Sequence, residues 1–267
     1  MNRFHLILLA VCVLPAAGHA QFTDTFSSLD PAWVTNRYDP AGFESVQFDG
    51  DNRLRLTIAA TDSAANRPPA FSDAFYNTQG RARPGDVLGL WSLSAQVFVS
   101  STFNTTTGPL VHSALWGHTG TTNAGGDYLI LGFTNTSPTD PLNPAAGDRA
   151  FRFHAVDTEF GDLLDLGVPA GFVFDTWHTL TGTFAGSTFD YFIDGALVYS
   201  RATAAGDNLL SAMVQGYNFG QPASYSVYWD DVTATAIPEP AAATGVVAGL
   251  MLVLVGVQAM RKRRAAS

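Results

Sequence analysis

The stretch WHTLTGTFAGSTFDYFIDGALVYS, residues 177–200, decides the fold of this chain. Apolar and polar residues alternate over residues 177–184 and again over 189–193, which is typical of β-strands with one buried face. Asp194 and Gly195 then separate the second run from a third. Because a type I′ turn needs positive φ at both central positions, Asp-Gly between alternating runs predicts a tight hairpin. The stretch therefore predicts consecutive antiparallel strands.

The rest of residues 21–236 repeats this pattern. Runs with a period of two are separated by Gly, Ser, Thr, Asn and Asp, and no segment has a convincing period of 3.6 residues. Many short strands with regular turn signals predict a single all-β sandwich. The other expected strands are 21–26, 43–48, 53–59, 71–78, 91–100, 110–118, 127–134, 150–157, 163–168, 213–219 and 225–236, with turns or loops at 49–52, 61–70, 79–85 and 135–148.

The first 20 residues have the features of a secretory signal peptide. Arg3 supplies the positive charge, residues 6–14 supply the apolar core, and Gly18-His19-Ala20 supplies a small-x-small site, so cleavage is expected after Ala20. The only cysteine of the chain, Cys12, lies inside this segment. The exported body is therefore expected to contain neither disulfides nor thiolate chemistry.

Residues 237–267 have the features of a membrane-anchored tail. The uncharged apolar run 241–260 is long enough to span about 30 Å of hydrocarbon as a helix. Basic residues follow only on its C-terminal side, so the positive-inside rule predicts a cytoplasmic C-terminus and an external body. The triplet before the span is Pro238, Glu239 and Pro240, and the basic cluster after it is Arg261, Lys262, Arg263 and Arg264.

This order of triplet, span and basic end resembles the PEP-CTERM sorting signal. In that family the signal is recognised by an exosortase, a membrane-embedded cysteine transpeptidase. The resemblance implies a protein that is anchored in the inner membrane of a Gram-negative bacterium with its body outside the cytoplasm. After tail processing it would reach the cell surface or extracellular matrix, and by analogy it would serve exopolysaccharide-producing cells. The alternative is a plain C-terminal anchor behind a proline-rich stalk.

The charge of the exported part narrows its partners. Residues 21–240 contain nine arginines, no lysine and 23 acidic residues, a net charge of −14. Nucleic acids and anionic lipid heads bind through Lys and Arg that neutralise phosphates, so neither is an expected ligand. Neutral glycans, cationic partners and Ca²⁺ are compatible with this charge. The excess of acid also fits a protein that is simply kept soluble by its charge.

Three motifs in the body resemble concanavalin A-like lectin and glucanase domains. They are an opening Asp24-Thr25-Phe26 with Trp33, the Trp177 to Val198 hairpin, and the closing Trp229-Asp230-Asp231-Val232. The resemblance implies a two-sheet antiparallel jelly roll in which the last strand returns beside the first and the motif tryptophans belong to the core. It also implies a concave face that often binds sugars. It implies no particular activity, because one fold serves many functions.

The residues of a conventional glycosidase are missing from the sequence. Glycoside hydrolysis usually needs two carboxyl groups that flank the bond. Glucanases of the resembled superfamily carry them as Glu-x-Asp-x-Glu or Glu-x-Asp-x-x-Glu, and neither motif occurs here. Outside the tail the only glutamates are Glu44 and Glu159. An Asp-based pair, or a histidine base drawn from His112, His118, His154 or His178, remains the catalytic alternative.

The best ligand-binding candidates lie on one predicted strand. His112, Trp116 and His118 share a face because side chains alternate with a period of two. Trp116 could stack on a sugar ring while the histidines bind its hydroxyl groups. The other interpretation is that Trp116 belongs to the core and the histidines lie at the rim. His178 follows Trp177 and is expected to point outward as a structural residue.

Metal binding has weaker candidates. Ca²⁺ needs clustered oxygen ligands, and Asp49 with Asp51, or Asp230 with Asp231, could supply them. Both groups also fit ordinary turns or solvated corners. No cofactor is certain.

The sequence thus predicts an exported, non-catalytic protein that is processed by an exosortase and binds polysaccharide. The alternatives are a polysaccharide-degrading hydrolase or lyase on the same fold and a purely structural matrix protein.

Overall fold

A computed structural model describes residues 22–62, 78–105, 107–120, 126–136, 149–156, 163–203, 208–218 and 223–237. Over these ranges the chain forms fifteen β-strands and two short 3-10 turns. The strands are β1 (Phe22–Asp24), β2 (Val34–Arg37), β3 (Gly42–Phe48), β4 (Asp51–Ile58), β5 (Thr78–Val87), β6 (Trp91–Val99), β7 (His112–Gly120), β8 (Tyr128–Thr134), β9 (Arg152–Val156), β10 (Leu163–Gly167), β11 (Thr176–Phe184), β12 (Thr188–Ile193), β13 (Ala196–Ala202), β14 (Asn208–Tyr217) and β15 (Tyr225–Ala236).

The strands form two antiparallel sheets that pack face to face. The eight-stranded sheet has the order β13-β12-β11-β6-β15-β4-β3, and β1 pairs with β15. The seven-stranded sheet has the order β10-β9-β8-β7-β14-β5-β2. The expected all-β two-sheet sandwich is confirmed, as is the return of the last strand beside the first.

The main core lies between the sheets and follows the alternation of the strands. In β6 every second residue from Trp91 to Val99 is buried, and in β4 the same holds for Leu54, Leu56 and Ile58. Trp229 and Phe26 are fully buried in this core, and Trp33 is 3% exposed. Each large buried apolar side chain contributes about 1.5–3 kcal/mol relative to an exposed one, so this core can stabilise a domain that lacks disulfides.

The hairpin between β12 and β13 has the predicted turn. Asp194 and Gly195 have φ of 51° and 78°, as a type I′ turn requires. The turn between β3 and β4 is of the same kind, since Asp49 and Gly50 have φ of 51° and 86°. These turns fix the register of both hairpins.

The expected directions of Trp177 and His178 were wrong. His178 is 4% exposed and points to the interior, where its Nδ1 and Nε2 lie 2.7 Å from Asp194 Oδ2 and 2.8 Å from the Val173 carbonyl oxygen. Trp177 lies on the outer side of the eight-stranded sheet under the guanidinium of Arg53. An imidazole can be buried at little cost when both of its nitrogens have hydrogen-bond partners. His178 is therefore the inward residue and Trp177 the outward one, the opposite of what was expected.

The segment 79–85 was predicted to be a turn and is instead part of β5. Its Gly and Pro residues suggested a break, but the segment pairs with β14 from Thr78 to Val87. Pro84 lies at the shift in register of this ladder, where a missing amide donor is tolerated. Gly80 allows close approach, because a Cβ there would lie 2.8 Å from the Cα of Gln215. The pattern also failed to predict β2.

Several predictions fall outside the described residues. They are the signal peptide with its cleavage site after Ala20, most of the strand predicted at 71–78, most of the excursion at 135–148, and Glu159. The sorting tail also lies outside, with the triplet 238–240, the span 241–260 and the basic cluster 261–264. Within the described ranges, no helix is long and apolar enough to cross a membrane.

Candidate functional site

The seven-stranded sheet carries a second buried cluster on its outer face, the face turned away from the eight-stranded sheet. Leu115, Leu131 and Val214 point into the main core, and their strand neighbours point the opposite way. We call the side chains on this side the outer-face cluster. Its apolar members are Ala82, Ala114, Trp116, Ile130, Val156 and Met213, with Tyr128 packed against them.

The three ligand-binding candidates of β7 all lie in the outer-face cluster. His112 and Trp116 are 5% and 6% exposed, and His118 is half-buried. The His118 ring stacks on Tyr128 with centroids 5.0 Å apart, and Tyr128 meets Trp116 edge to face at 5.8 Å. Trp116 is therefore buried, but it is outside the main core. Neither of the two interpretations of this strand described that arrangement.

His154 on β9 joins the cluster through a ring stack with His112. The two ring centroids are 4.5 Å apart, although β8 runs between the two strands. The residue of β8 that pairs with His154 is Gly132, which has no side chain to separate the rings. Burial lowers the pKa of His112 to about 4. Burial, and then the neighbouring His112, lower the pKa of His154 well below its usual value, while the Phe133 backbone has a weaker opposite effect. Both rings are therefore neutral at pH 7.

Arg37 covers the other end of the cluster. Its φ of 60° turns the end of β2, and its Cζ lies 4.9 Å from the ring centroid of Trp116. Its Nη1 donates to Asn36 Oδ1 at 3.2 Å, and the same oxygen accepts a hydrogen bond from Gln215 Nε2 at 3.0 Å. Arg37 also adds to the effect of burial in lowering the pKa of His118. The cluster thus combines aromatic rings, neutral imidazoles, an amide and one guanidinium.

Carboxyl groups are sparse on the strands that carry this face. Among the described residues of the seven strands, only Asp86 and Asp165 are acidic. β5 and β10, which hold them, are five strand spacings apart, or about 24 Å. Asp165 also accepts from Arg152 Nη1 at 3.2 Å. These two strand carboxylates cannot flank one glycosidic bond, which needs a pair about 5–10 Å apart.

The calcium candidates are occupied by protein donors. Asp51 and Asp230 both contact the guanidinium of Arg53. Asp49 Oδ2 accepts from Trp177 Nε1 at 2.9 Å, and Asp231 Oδ2 accepts from Gln96 Nε2 at 2.6 Å. In the part of the chain that the structure describes, no three His, Cys, Asp or Glu side chains are gathered for a metal ion.

Several members of the cluster were not predicted from the sequence. Tyr128, Gln215 and Arg37 lie on β8, β14 and β2, and their proximity to β7 follows from the strand order rather than from local spacing. His154 was considered only as a general base. Alternation did place His118 and Trp116 together, because they belong to the same strand.

Comparisons with known proteins show the fold and nothing finer. The sequence matches no protein-family model. It also matches no curated protein. A Bacteroides ovatus mixed-linkage glucan GH16 structure in complex with a G4G4G3G product has TM-score 0.53 and 13% identity, over 80% of this chain and 99% of that chain.

Two further structures agree with that likeness. A Bacteroides ovatus glycoside hydrolase family 16 endo-glucanase, in complex with G4G3G-2F-DNP, has TM-score 0.52 and 12% identity, over 80% of this chain and 99% of that one. A cellulose-induced protein, Cip1, has TM-score 0.51 and 9% identity, over 81% and 97%. The chain therefore has the concanavalin A-like jelly-roll fold of GH16 glucanases.

Proposed function

We propose that this protein binds polysaccharide on the outer face of its seven-stranded sheet and does not cleave it. The observation that carries the proposal is the composition of the outer-face cluster, in which the Tyr128 ring contacts both Trp116 and His118 beside hydrogen-bonding groups. Ligand sites are mostly apolar, with a few convergent polar groups, and the amphipathic rings of Tyr and Trp suit sugars. The fold shared with two glucan complexes is consistent with such a ligand.

The non-catalytic part of the proposal has separate support. The two carboxylates on the described strands of this sheet are about 24 Å apart, which does not suit a retaining or an inverting glycosidase. The buried imidazoles are poor general bases near neutral pH, because burial lowers the pKa of His112 to about 4. The second functional hypothesis is a polysaccharide-degrading enzyme, and the third is a structural matrix protein.

The test is to incubate the purified full-length chain, in detergent, with immobilised polysaccharides and to measure retention and product release together. Retention without reducing-end or unsaturated products is the expected result. Product release would show that the protein is an enzyme. The absence of both retention and product release would favour the hypothesis of a structural matrix protein. The Trp116→Ala variant should lose retention, while Trp177→Ala on the opposite sheet should keep it.

We further propose that the protein is exported and processed by an exosortase. The support is the order of signal peptide, body, Pro-Glu-Pro triplet, apolar span and basic end in the sequence. In an exosortase-containing host, the tail should be removed from the wild type. A variant with alanine at Pro238, Glu239 and Pro240 should keep its tail and remain in the membrane fraction. Equal processing of both chains would contradict this proposal.

A further inference from the structure

The outer-face cluster contains buried polar atoms without partners. Within the described part of the chain, no well-formed hydrogen bond is made by Nε1 of Trp116, by Oε1 of Gln215 or by either ring nitrogen of His154, which has only a weak interaction with the Phe133 backbone. These residues are 6%, 1% and 0% exposed. A buried polar atom without a partner costs about 1–3 kcal/mol, and such atoms are uncommon in native proteins. Four of them on one face indicate a site that is completed by a ligand.

The chemistry of these atoms defines the ligand. A neutral imidazole has one donor and one acceptor nitrogen, and an indole Nε1 only donates. Gln215 already donates through Nε2 to Asn36 Oδ1, which leaves its Oε1 as an acceptor. The site therefore offers two donors and two acceptors. A hydroxyl group both donates and accepts, so hydroxyl groups can pair with the donors and with the acceptors of the site. A carboxylate only accepts, so it would leave the two acceptors of the site without a donor.

The strand register gives the length of the site. Gln215, Ala114, Gly132 and His154 pair in sequence across β14, β7, β8 and β9. Three strand spacings make this row about 14 Å long. Of the two central residues, Gly132 lies beneath the stacked rings of His112 and His154, and Ala114 carries only a methyl group. Ala114 therefore forms a low floor beside Gln215. One sugar ring is too short to reach from Gln215 to His154, but an oligosaccharide that crosses the strands can do so.

We infer that the polysaccharide bound at this face is neutral, with hydroxyl groups rather than uronate or sulfate groups facing His154, Trp116 and Gln215. The inference rests on the proposed function and specifies its ligand. The net charge of −14 over residues 21–240 also disfavours polyanions. The alternative is a uronate polymer, which would bind through the guanidinium of Arg37 above Trp116.

The experiment compares retention of the full-length chain on neutral and on anionic polymers. Mixed-linkage β-glucan, xyloglucan and dextran represent the neutral class, and alginate and polygalacturonate the anionic one. We expect retention on at least one neutral polymer, competition by its oligosaccharides and no competition by its monosaccharide. Retention only on the anionic polymers, and its loss in Arg37→Ala, would overturn this inference and leave polysaccharide binding intact. No retention on either class would overturn both.

A variant of His154 separates binding from folding. His154→Phe keeps a ring against His112 but removes both buried nitrogens, so its Tm should equal or exceed that of the wild type. Affinity for the retained neutral polymer should fall about tenfold, the equivalent of one to two hydrogen bonds. Trp116→Phe should also weaken binding, and its matched control Trp177→Phe should not. Unchanged affinity in His154→Phe would overturn the inference.

Discussion

The imidazole rings of His112 and His154 stack with their centroids 4.5 Å apart, although they belong to strands that are not neighbours. This contact closes over Gly132, whose missing side chain leaves room above β8. Burying one imidazole beside another disfavours a positive charge on either, because each loses water and would repel a charged partner. The pair is therefore stable only while both rings are neutral.

The histidine pair should make the protein sensitive to mild acid. The pKa of His112 is about 4 in the folded protein and 6.5 in the unfolded chain, and that of His154 is also lowered. Between these values the unfolded chain binds protons that the folded chain does not, so stability falls as the pH is lowered. For His112 alone the full effect is up to about 3 kcal/mol.

The measurement is the free energy of unfolding by denaturant between pH 7 and pH 5. The wild type should lose stability over this window, above the range in which ordinary carboxylates titrate. The double variant His112→Phe with His154→Phe should show a flatter profile. The same slope in both proteins would exclude the pair as its cause.

Gly132 should be intolerant of even a methyl group. A Cβ there would lie 2.5 Å from the Cβ of Ala114 and would also clash with the backbone oxygen of Ser113. Since the obstacles belong to the neighbouring strand, β7 and β8 must separate to admit it. Gly132→Ala should therefore cost about 1–3 kcal/mol or more, like other overpacked interiors, and should weaken glycan retention.

Gly50→Ala is the matched control for this substitution. Gly50 has positive φ, but a Cβ there would meet nothing within 4 Å. Its cost should be limited to the left-handed backbone, about 1–2 kcal/mol, and retention should be unchanged. A smaller loss of thermal stability in Gly132→Ala than in Gly50→Ala would contradict the close approach of β7 and β8 at Gly132.

The strands were predictable where the determinants are local. Alternation identified β6 and β11, and Asp194-Gly195 identified a turn whose φ values depend only on those two residues. Prediction failed for 79–85, where Gly and Pro suggested a turn. There the pairing with β14 overrides local preference, and Pro84 is tolerated because the ladder shifts at that point.

The site was predictable only along one strand. His112, Trp116 and His118 share a face by spacing alone, but Gln215 and His154 reach them through pairings between distant parts of the chain. Burial also depends on such contacts. His178 is an interior residue because Asp194 and the Val173 carbonyl are partners for both nitrogens of its imidazole, and Trp177 then lies on the outer side. No local pattern contains this information.

Asp194 should stabilise its hairpin beyond the turn itself. Its Oδ1 accepts from the Thr179 amide at 2.8 Å, and its Oδ2 lies 2.7 Å from His178 Nδ1. Asp194→Ala leaves a buried imidazole nitrogen without a partner, so we expect a loss of about 2–4 kcal/mol. Asp49→Ala places alanine at the same position of a similar turn and removes only a contact with half-buried Trp177, so its cost should be smaller. Equal losses in chemical denaturation would assign the effect to backbone strain.

Arg201 connects the edge of the eight-stranded sheet to the outer-face cluster. Its Nη2 donates to Asp127 Oδ1 at 2.7 Å and to the Tyr128 carbonyl oxygen at 2.8 Å. The two charged side chains are 8% and 12% exposed. Arg201→Met would leave the Asp127 carboxylate buried without its cation, at a cost of about 3–5 kcal/mol. It should also release the backbone at Tyr128 and so weaken the stacking of that ring on His118.

The ion pair of Arg152 with Asp165 provides the control for this prediction. The Asp165 side chain is 41% exposed, so solvent screens the pair and Arg152→Met should cost about 1 kcal/mol or less. Arg201→Lys should recover part of the stability, because a lysine can neutralise Asp127 but cannot donate in the same fork geometry. The free energy of unfolding and glycan retention should both decrease from wild type through Arg201→Lys to Arg201→Met. Retention that stays constant along this series would show that the position of Tyr128 does not matter for binding.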